Sequence, residues 1–125
     1  IFTTGCFDII HGGHIESFRE ASDMGDILFV ALNSDSSITR LKGENRPICP
    51  LESRLSIVSS ISYIDFIMVF DERTPVKIHN ILEPDVIVKG GDYKKEDVVG
   101  NDLAEVVIYN YINGYSTTNI IEKSK

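Results

Sequence analysis

Thr3-Thr4-Gly5-Cys6-Phe7-Asp8-Ile9-Ile10-His11-Gly12-Gly13-His14 runs from a β-branched, apolar start through a glycine turn into a segment of helical spacing. Ile1-Phe2-Thr3-Thr4 predicts a strand, Gly5 a turn, and the residues after Gly12-Gly13 a helix. A strand, a Gly-rich turn and a helix N-terminus make a phosphate site, because unpaired backbone N–H groups and the positive end of the helix dipole converge there. The two histidines stand three apart, so on a first helical turn both imidazoles can lie on one side, facing that point. Gly-rich strand-to-helix turns are common packing devices, and a lone histidine in one is usually structural. Two histidines framing a glycine at the junction are much harder to obtain by chance, which weighs toward chemistry.

Around this stretch, 125 residues suffice for a single domain, residues 1–125, with a real core. Hydrophobic and charged contents of 42% and 25% are those of an ordinary globular chain. No apolar run reaches the ~20 residues of a membrane span, and no signal-peptide pattern is present. The sequence has no initiator Met and opens inside a strand, so a trimmed chain is expected. A net charge of −7 argues against a nucleic-acid or anionic-membrane binder, but a small phosphorylated substrate needs only a few cations in a cleft. Cys6 and Cys49 are far apart and outside any CxxC pattern, which suits reduced thiols of a cytoplasmic protein.

Further along, Ile15, Phe18, Ala21 and Ser22 share a helical face, and Gly25 supplies a stop. Ile27 to Leu32 is a continuous apolar run, as in a strand covered on both faces, and Asn33-Ser34-Asp35 reads as a turn. Ile38 to Cys49 reads as a loop. Pro50 suits the first position of a helix with a Leu51, Leu55, Val58, Ile61 stripe. Asp65 to Phe70 predicts a third strand, Thr74-Pro75 a capped helix start, Val86-Ile87-Val88 a fourth strand and Val106 to Ile112 a fifth. A closing helix is expected near Ser116, with Ile120 and Ile121 apolar. Strands alternating with helices predict an α/β chain, a Rossmann-like three-layer sandwich with a mainly parallel five-stranded sheet. Ligands of such sheets gather at the carboxyl ends of the strands, where the suggestive residues of this sequence also fall.

Several of those residues admit two readings. Gly114-Tyr115-Ser116-Thr117-Thr118 sets hydroxyls in a row at a helix start, which suits a phosphate or simply a Ser116 cap. Lys42 and Arg46 share a loop and Arg54 lies on the next helix; together they suit a polyphosphate, and singly each reads as a solvated charge. Lys89-Gly90-Gly91-Asp92 allows a nucleotide to approach closely or makes a tight turn. Asp8 either orients an imidazole or caps its turn. His79 receives no role. The absence of GxSxG, GxxxxGK[ST] and GxGxxG leaves hydrolase, P-loop and dinucleotide readings without support.

Cys6 to His14 resembles the H-x-G-H signature of the nucleotidylyltransferase superfamily, and Gly114-Tyr115-Ser116-Thr117-Thr118 resembles its Ser-Thr-Thr signature. Class I aminoacyl-tRNA synthetases share a similar motif but need far more chain. Asn33-Ser34-Asp35, Leu41-Lys42-Gly43 with Arg46-Pro47, and Pro84 through Tyr93 are most similar to the adenylyltransferase domain of ADP-heptose synthase. Glycerol-3-phosphate cytidylyltransferase is also similar, although its Arg before Ser-Thr-Thr falls at Tyr111. The resemblance implies transfer of AMP from ATP to a heptose 1-phosphate-like acceptor, with release of pyrophosphate. A CTP-dependent enzyme acting on an alcohol phosphate and a flavin adenylyltransferase are its variants, and a non-catalytic nucleotide-binding module is the competing class.

In the roles the resemblance implies, His11, His14, Lys42, Ser116 and Thr117 serve catalysis. Cys6, Phe7, Gly13, Arg54, Gly90, Gly91, Asp92, Gly114, Tyr115 and Thr118 hold the nucleotide. Thr4, Asp8, Asn33 and Arg46 face the acceptor. Mg²⁺ is expected to ride on the substrate phosphates with no protein ligand. The implied partners are a nucleoside triphosphate and a small phosphorylated acceptor, with neither nucleic acid nor membrane, and a homodimer is a possibility the resemblance carries.

Overall fold

The computed structural model describes residues 1–72, 74–90, 94–109 and 121–124. Within these, β1 (Phe2–Gly5), β2 (Phe29–Asn33), β3 (Phe66–Phe70), β4 (Val86–Gly90) and β5 (Glu105–Tyr109) form one sheet in the order β3-β2-β1-β4-β5. Every pairing among them is parallel. The chain steps outward from β1 through β2 to β3, then returns to lay β4 on the other side of β1. The order reverses between β1 and β4, the kind of switch point where a crevice opens at the carboxyl ends of the strands.

Side-chain alternation sorts the core into layers. On one face, Val30, Leu32 and Val88 pack with Phe18 and Ala21 of α1 (Gly12–Ser22) and Val58 of α3 (Leu51–Ser59). On the other, Phe2, Ala31 and Phe70 pack with Ile78 of α4 (Val76–Leu82). A third cluster joins Ile87, Val106 and Val98 on the β4–β5 side of the sheet. The predicted α/β sandwich is therefore present, with a sheet that is parallel throughout the described residues.

Three expectations change. Asn33-Ser34-Asp35 is a helix start rather than a turn. The Ser34 hydroxyl accepts the Ser37 N–H and opens α2 (Asp35–Lys42), inside what reads in the sequence as a loop. Gly43, at φ 98°, ends that helix. Pro50 and Pro75 stand at the N-cap positions of α3 and α4, one residue before the predicted first turn. Ile27 lies outside β2 because the Leu28 N–H is taken by the Asp65 carboxylate at 2.8 Å. Residues 121–123 are helical, and the start of the predicted closing helix lies outside the described residues.

His79 is buried edge-on to Phe2, with ring centroids 5.0 Å apart, and neither ring nitrogen has a hydrogen-bond partner among the described residues. Burial, opposed by Asp102, holds its pKa below the usual value, so the ring packs as a neutral, nearly apolar plate. Gly100 lies against it at φ 93°, and a Cβ there would stand 2.7 Å from both His79 Nδ1 and Ile87 Cδ1. Gly100→Ala is expected to cost about 2 kcal/mol in denaturant unfolding, from overpacking together with a left-handed backbone. An unchanged midpoint would show that this contact relaxes freely.

Candidate active site

The turn after β1 is sharp because Phe7 takes a left-handed conformation, φ 48°, which is costly for a bulky residue. Its ring packs edge-on to His14, at 5.6 Å, and against Phe18, at 5.1 Å, which anchors the turn in the core. Beyond it, the two histidines cap α1 reciprocally. His11 Nδ1 accepts the Gly13 N–H at 3.0 Å, and His14 Nδ1 accepts the His11 N–H at 3.2 Å. Imidazoles thus replace the hydroxyl and carboxylate of an ordinary capping box. The rings lie 3.9 Å apart between centroids.

An accepting Nδ1 assigns the ring proton to Nε2 in each neutral imidazole. Burial pushes the His14 pKa down to about 3, with the nearness of His11 adding to it, and burial lowers His11 as well. At neutral pH the pair therefore offers two Nε2–H donors rather than two cations. The structure brings together the two rings that the sequence spacing placed on one side of the helix.

Asp8 does neither of the jobs its position suggested. Its carboxylate is buried and accepts Arg46 Nε at 2.8 Å, the Ile48 N–H at 2.9 Å and the Cys49 N–H at 2.7 Å. Burial alone would raise its pKa, but the Cys49 and Ile48 N–H groups and the Arg46 guanidinium outweigh it and hold the carboxyl below its ordinary range. Asp8 and Arg46 thus fasten the 46–49 segment to the β1 turn, where the sequence reading had both facing an acceptor.

Arg54, which the resemblance placed on the nucleotide, is likewise tied into the fold by its own partners. It is 0% exposed, and its donors go to Cys49 O at 3.1 Å, Cys6 O at 2.9 Å, Asn33 O at 2.7 Å and Asp35 Oδ1 at 2.6 Å. The guanidinium ties the ends of β1 and β2 to the starts of α2 and α3. It positions the site from beneath.

Asn33, at the end of β2, donates Nδ2–H to Ser37 Oγ at 3.0 Å and lies 3.9 Å from the Cys6 thiol, a weak donor to its Oδ1. Thr4 sits in β1 beside Ala31 of β2, and Gly13 is buried in the first turn of α1. Burial raises the Cys6 pKa, against the pull of Lys42, Arg54, Arg46 and Lys89. The thiol therefore stays protonated, in a cationic neighbourhood. Lys42 closes α2, and Gly90 ends β4. Gly91, Asp92, Gly114, Tyr115, Ser116, Thr117 and Thr118 lie outside the described residues.

Lys89 is the residue the sequence reading passed over. It stands at the carboxyl end of β4, where burial lowers its pKa; Cys6 opposes the shift and Lys42 adds to it. A lysine closing the otherwise apolar Val86-Ile87-Val88 run was the available signal, and the glycines beside it drew the attention instead.

The resulting site joins a helix N-terminus, two neutral imidazole donors and two lysines at the point where the strand order reverses. The pattern of the cytidylyltransferase-like family matches residues 2–123, and the chain belongs to that family. The Bifunctional protein HldE of a Nitratiruptor species is 45% identical over 126 residues, covering 100% of this chain and 27% of that protein. The HldE of Marinomonas sp. (strain MWYL1) is 51% identical over 129 residues, covering 99% and 27%. The chain thus spans about a quarter of the length of these relatives. Among solved structures, the lipopolysaccharide core biosynthesis protein from Thermoplasma volcanium GSS1 superposes with a TM-score of 0.73 at 28% identity, covering 92% of this chain and 96% of that one.

Two measurements check this geometry. Arg54→Leu leaves three backbone carbonyls and Asp35 without their donor, and about 3 kcal/mol or more of unfolding free energy is expected to go with it. A loss under about 1 kcal/mol would show that the guanidinium is dispensable to the fold. Between pH 6.5 and about 3 the unfolded chain holds a proton on residue 14 that the folded chain refuses. Stability must therefore fall as the pH drops through that window, by up to about 1.4 kcal/mol per unit from this group. His14→Asn, which keeps a capping acceptor, is expected to flatten that limb and leave the carboxylate contribution of Asp8 and others. Superimposable pH profiles would show that His14 is not buried in its neutral form.

Proposed function

We propose that this chain is a nucleotidylyltransferase that moves AMP from ATP to a heptose 1-phosphate-like sugar phosphate. An oxygen of the acceptor phosphate attacks the α-phosphorus in line. The bond from that phosphorus to the bridging oxygen breaks, and its electron pair leaves with pyrophosphate. Such a reaction needs positioning and charge neutralisation more than a protein nucleophile. The observation that carries the reading is the pair of adjacent, neutral imidazoles at the N-terminus of α1, beside the β1–β4 switch point.

In this mechanism the Nε2–H groups of His11 and His14 donate to the triphosphate oxygens where charge accumulates, and Lys42 steadies the transferring and leaving phosphates. Ser116, Thr117 and Thr118 receive the β and γ groups, and Gly90, Gly91 and Asp92 take the nucleoside side. Mg²⁺, expected to be carried by the substrate phosphates, would supply further charge neutralisation when bound. Among the described residues no group of three or more His, Cys, Asp or Glu stands ready to hold a metal, and the Asp8 carboxylate is already engaged.

The sugar-phosphate acceptor is supported by the HldE relatives and the lipopolysaccharide core neighbour, and ATP over CTP by the resemblance of the Pro84–Tyr93 stretch. We place the reaction in the cytoplasm, where triphosphates and sugar phosphates meet, with a homodimer as the working assembly. No helix among the described residues is long and apolar enough to cross a membrane.

The test is pyrophosphate release with ATP or CTP against heptose 1-phosphate, glycerol 3-phosphate and flavin mononucleotide. ATP with heptose 1-phosphate is expected to turn over best, and both His14→Asn and Lys42→Ala to lower kcat by about 100-fold or more while folding normally. Nucleotide binding without turnover in every combination would make the chain a binding module, and preference for CTP with glycerol 3-phosphate would move it to the alcohol-phosphate branch.

A further inference from the structure

Four rings stand in a row from the core to the cap of α1. His11, His14 and Phe18 follow one another at helical spacing, and the Phe7 ring enters the row from the turn before them. Phe7 lies 5.1 Å from Phe18 and 5.6 Å from His14, at 70° to the imidazole, and His14 lies 3.9 Å from His11. A left-handed backbone, φ 48°, brings Phe7 there. Its ring folds back over Gly5, where a Cβ would stand 3.0 Å from Phe7 Cζ, 3.1 Å from Cε2 and 3.3 Å from Cε1. Gly5 itself is outside the left-handed region, so this approach requires its missing side chain and not its backbone freedom.

We infer that Phe7 is a positioning residue for His14: its ring, seated on Gly5 and backed by Phe18, wedges against the imidazole and fixes the plane in which His14 presents Nε2. Its effect on turnover rests on the nucleotidyl-transfer reading above; its effect on the imidazole rests on the ring geometry alone. The His11 N–H holds the Nδ1 end of the ring at 3.2 Å, and Phe7 and His11 flank it. The apolar flank keeps water from the imidazole, in line with the burial that holds His14 neutral. Misplacing a reacting group by about 1 Å costs on the order of 100-fold in rate. A bulky residue in a left-handed conformation persists where its surroundings over-determine it, and here what it secures is the placement of a donor.

Phe7→Leu removes the ring and keeps apolar bulk; Gly5→Ala keeps every ring and displaces Phe7 by a few tenths of an ångström. In the full chain with ATP and heptose 1-phosphate, Phe7→Leu is expected to lower kcat by about tenfold or more and Gly5→Ala by about threefold, each with KM for ATP within about threefold of the wild type. In a His14→Asn background either change is expected to cost less than about twofold more, since Phe7 acts through that ring. NMR of isotope-labelled histidine in the ligand-free protein reads the imidazole directly, with its titratable neighbour His11 in the same spectra. Wild-type His14 is expected to stay neutral down to its pKa of about 3, and Phe7→Leu to raise that midpoint by about one unit or more as water reaches the ring. Gly5→Ala is expected to move it the same way, and decides alone if Phe7→Leu does not fold. Losses of kcat that add in the double variants, or a His14 midpoint that the folded variants leave unchanged, overturn the assignment. Wild-type protein that binds ATP yet releases no pyrophosphate with any acceptor would defeat the reaction reading, while the NMR titration would still decide whether Phe7 positions His14.

Discussion

A buried guanidinium is the constraint on which the remainder depends. Arg54 reaches from α3 to the carbonyls that end β1 and β2 and to the first carboxylate of α2. A charge this deep is tolerated only when each donor is satisfied, and four acceptors meet it. The chain therefore has little freedom in how the two central strands finish. The Asp8 carboxylate repeats the logic one turn later, gathering Arg46 and the N–H groups of Ile48 and Cys49. These two centres hold the β1 turn at the angle that starts α1 with its histidines in contact.

The site divides its work between donors and charges. Burial lowers the pKa of both imidazoles, most of all His14, and in the proposed mechanism they act as directed hydrogen-bond donors without repelling each other. Positive charge is supplied by lysines at the ends of α2 and β4. Arg46 pairs through Nε with Asp8, and Arg54 pairs with Asp35. In the proposed reaction an acidic chain needs only these few cations at the strand ends to meet a polyphosphate.

Much of this was legible in the sequence, for identifiable reasons. Apolar runs such as Phe29–Leu32 and Val86–Val88 announce strands covered on both faces, and their alternation with helical stripes gives the parallel sheet. The spacing of His11 and His14 sufficed to set them side by side. Helix α2 was hidden because Ser and Asp mark turns and helix caps alike; the tertiary setting decides between them. Arg46 and Arg54 read as phosphate ligands because their partners stand 38 and 19 residues away, a distance over which no local pattern speaks. The family is shown by residues 2–123 taken together, whereas the hydroxyl trio at 116–118 remains a reading of sequence.

The double duty of the histidines has an evolutionary edge. The atoms that close the first turn of α1 belong to the same rings whose Nε2–H groups the proposed mechanism uses. A descendant that abandoned the chemistry could not simply let these positions drift, since the helix would lose its lid at the same stroke. Retention of both rings in a silent relative would then be a fossil of folding, and turnover would have to be assayed before it was believed.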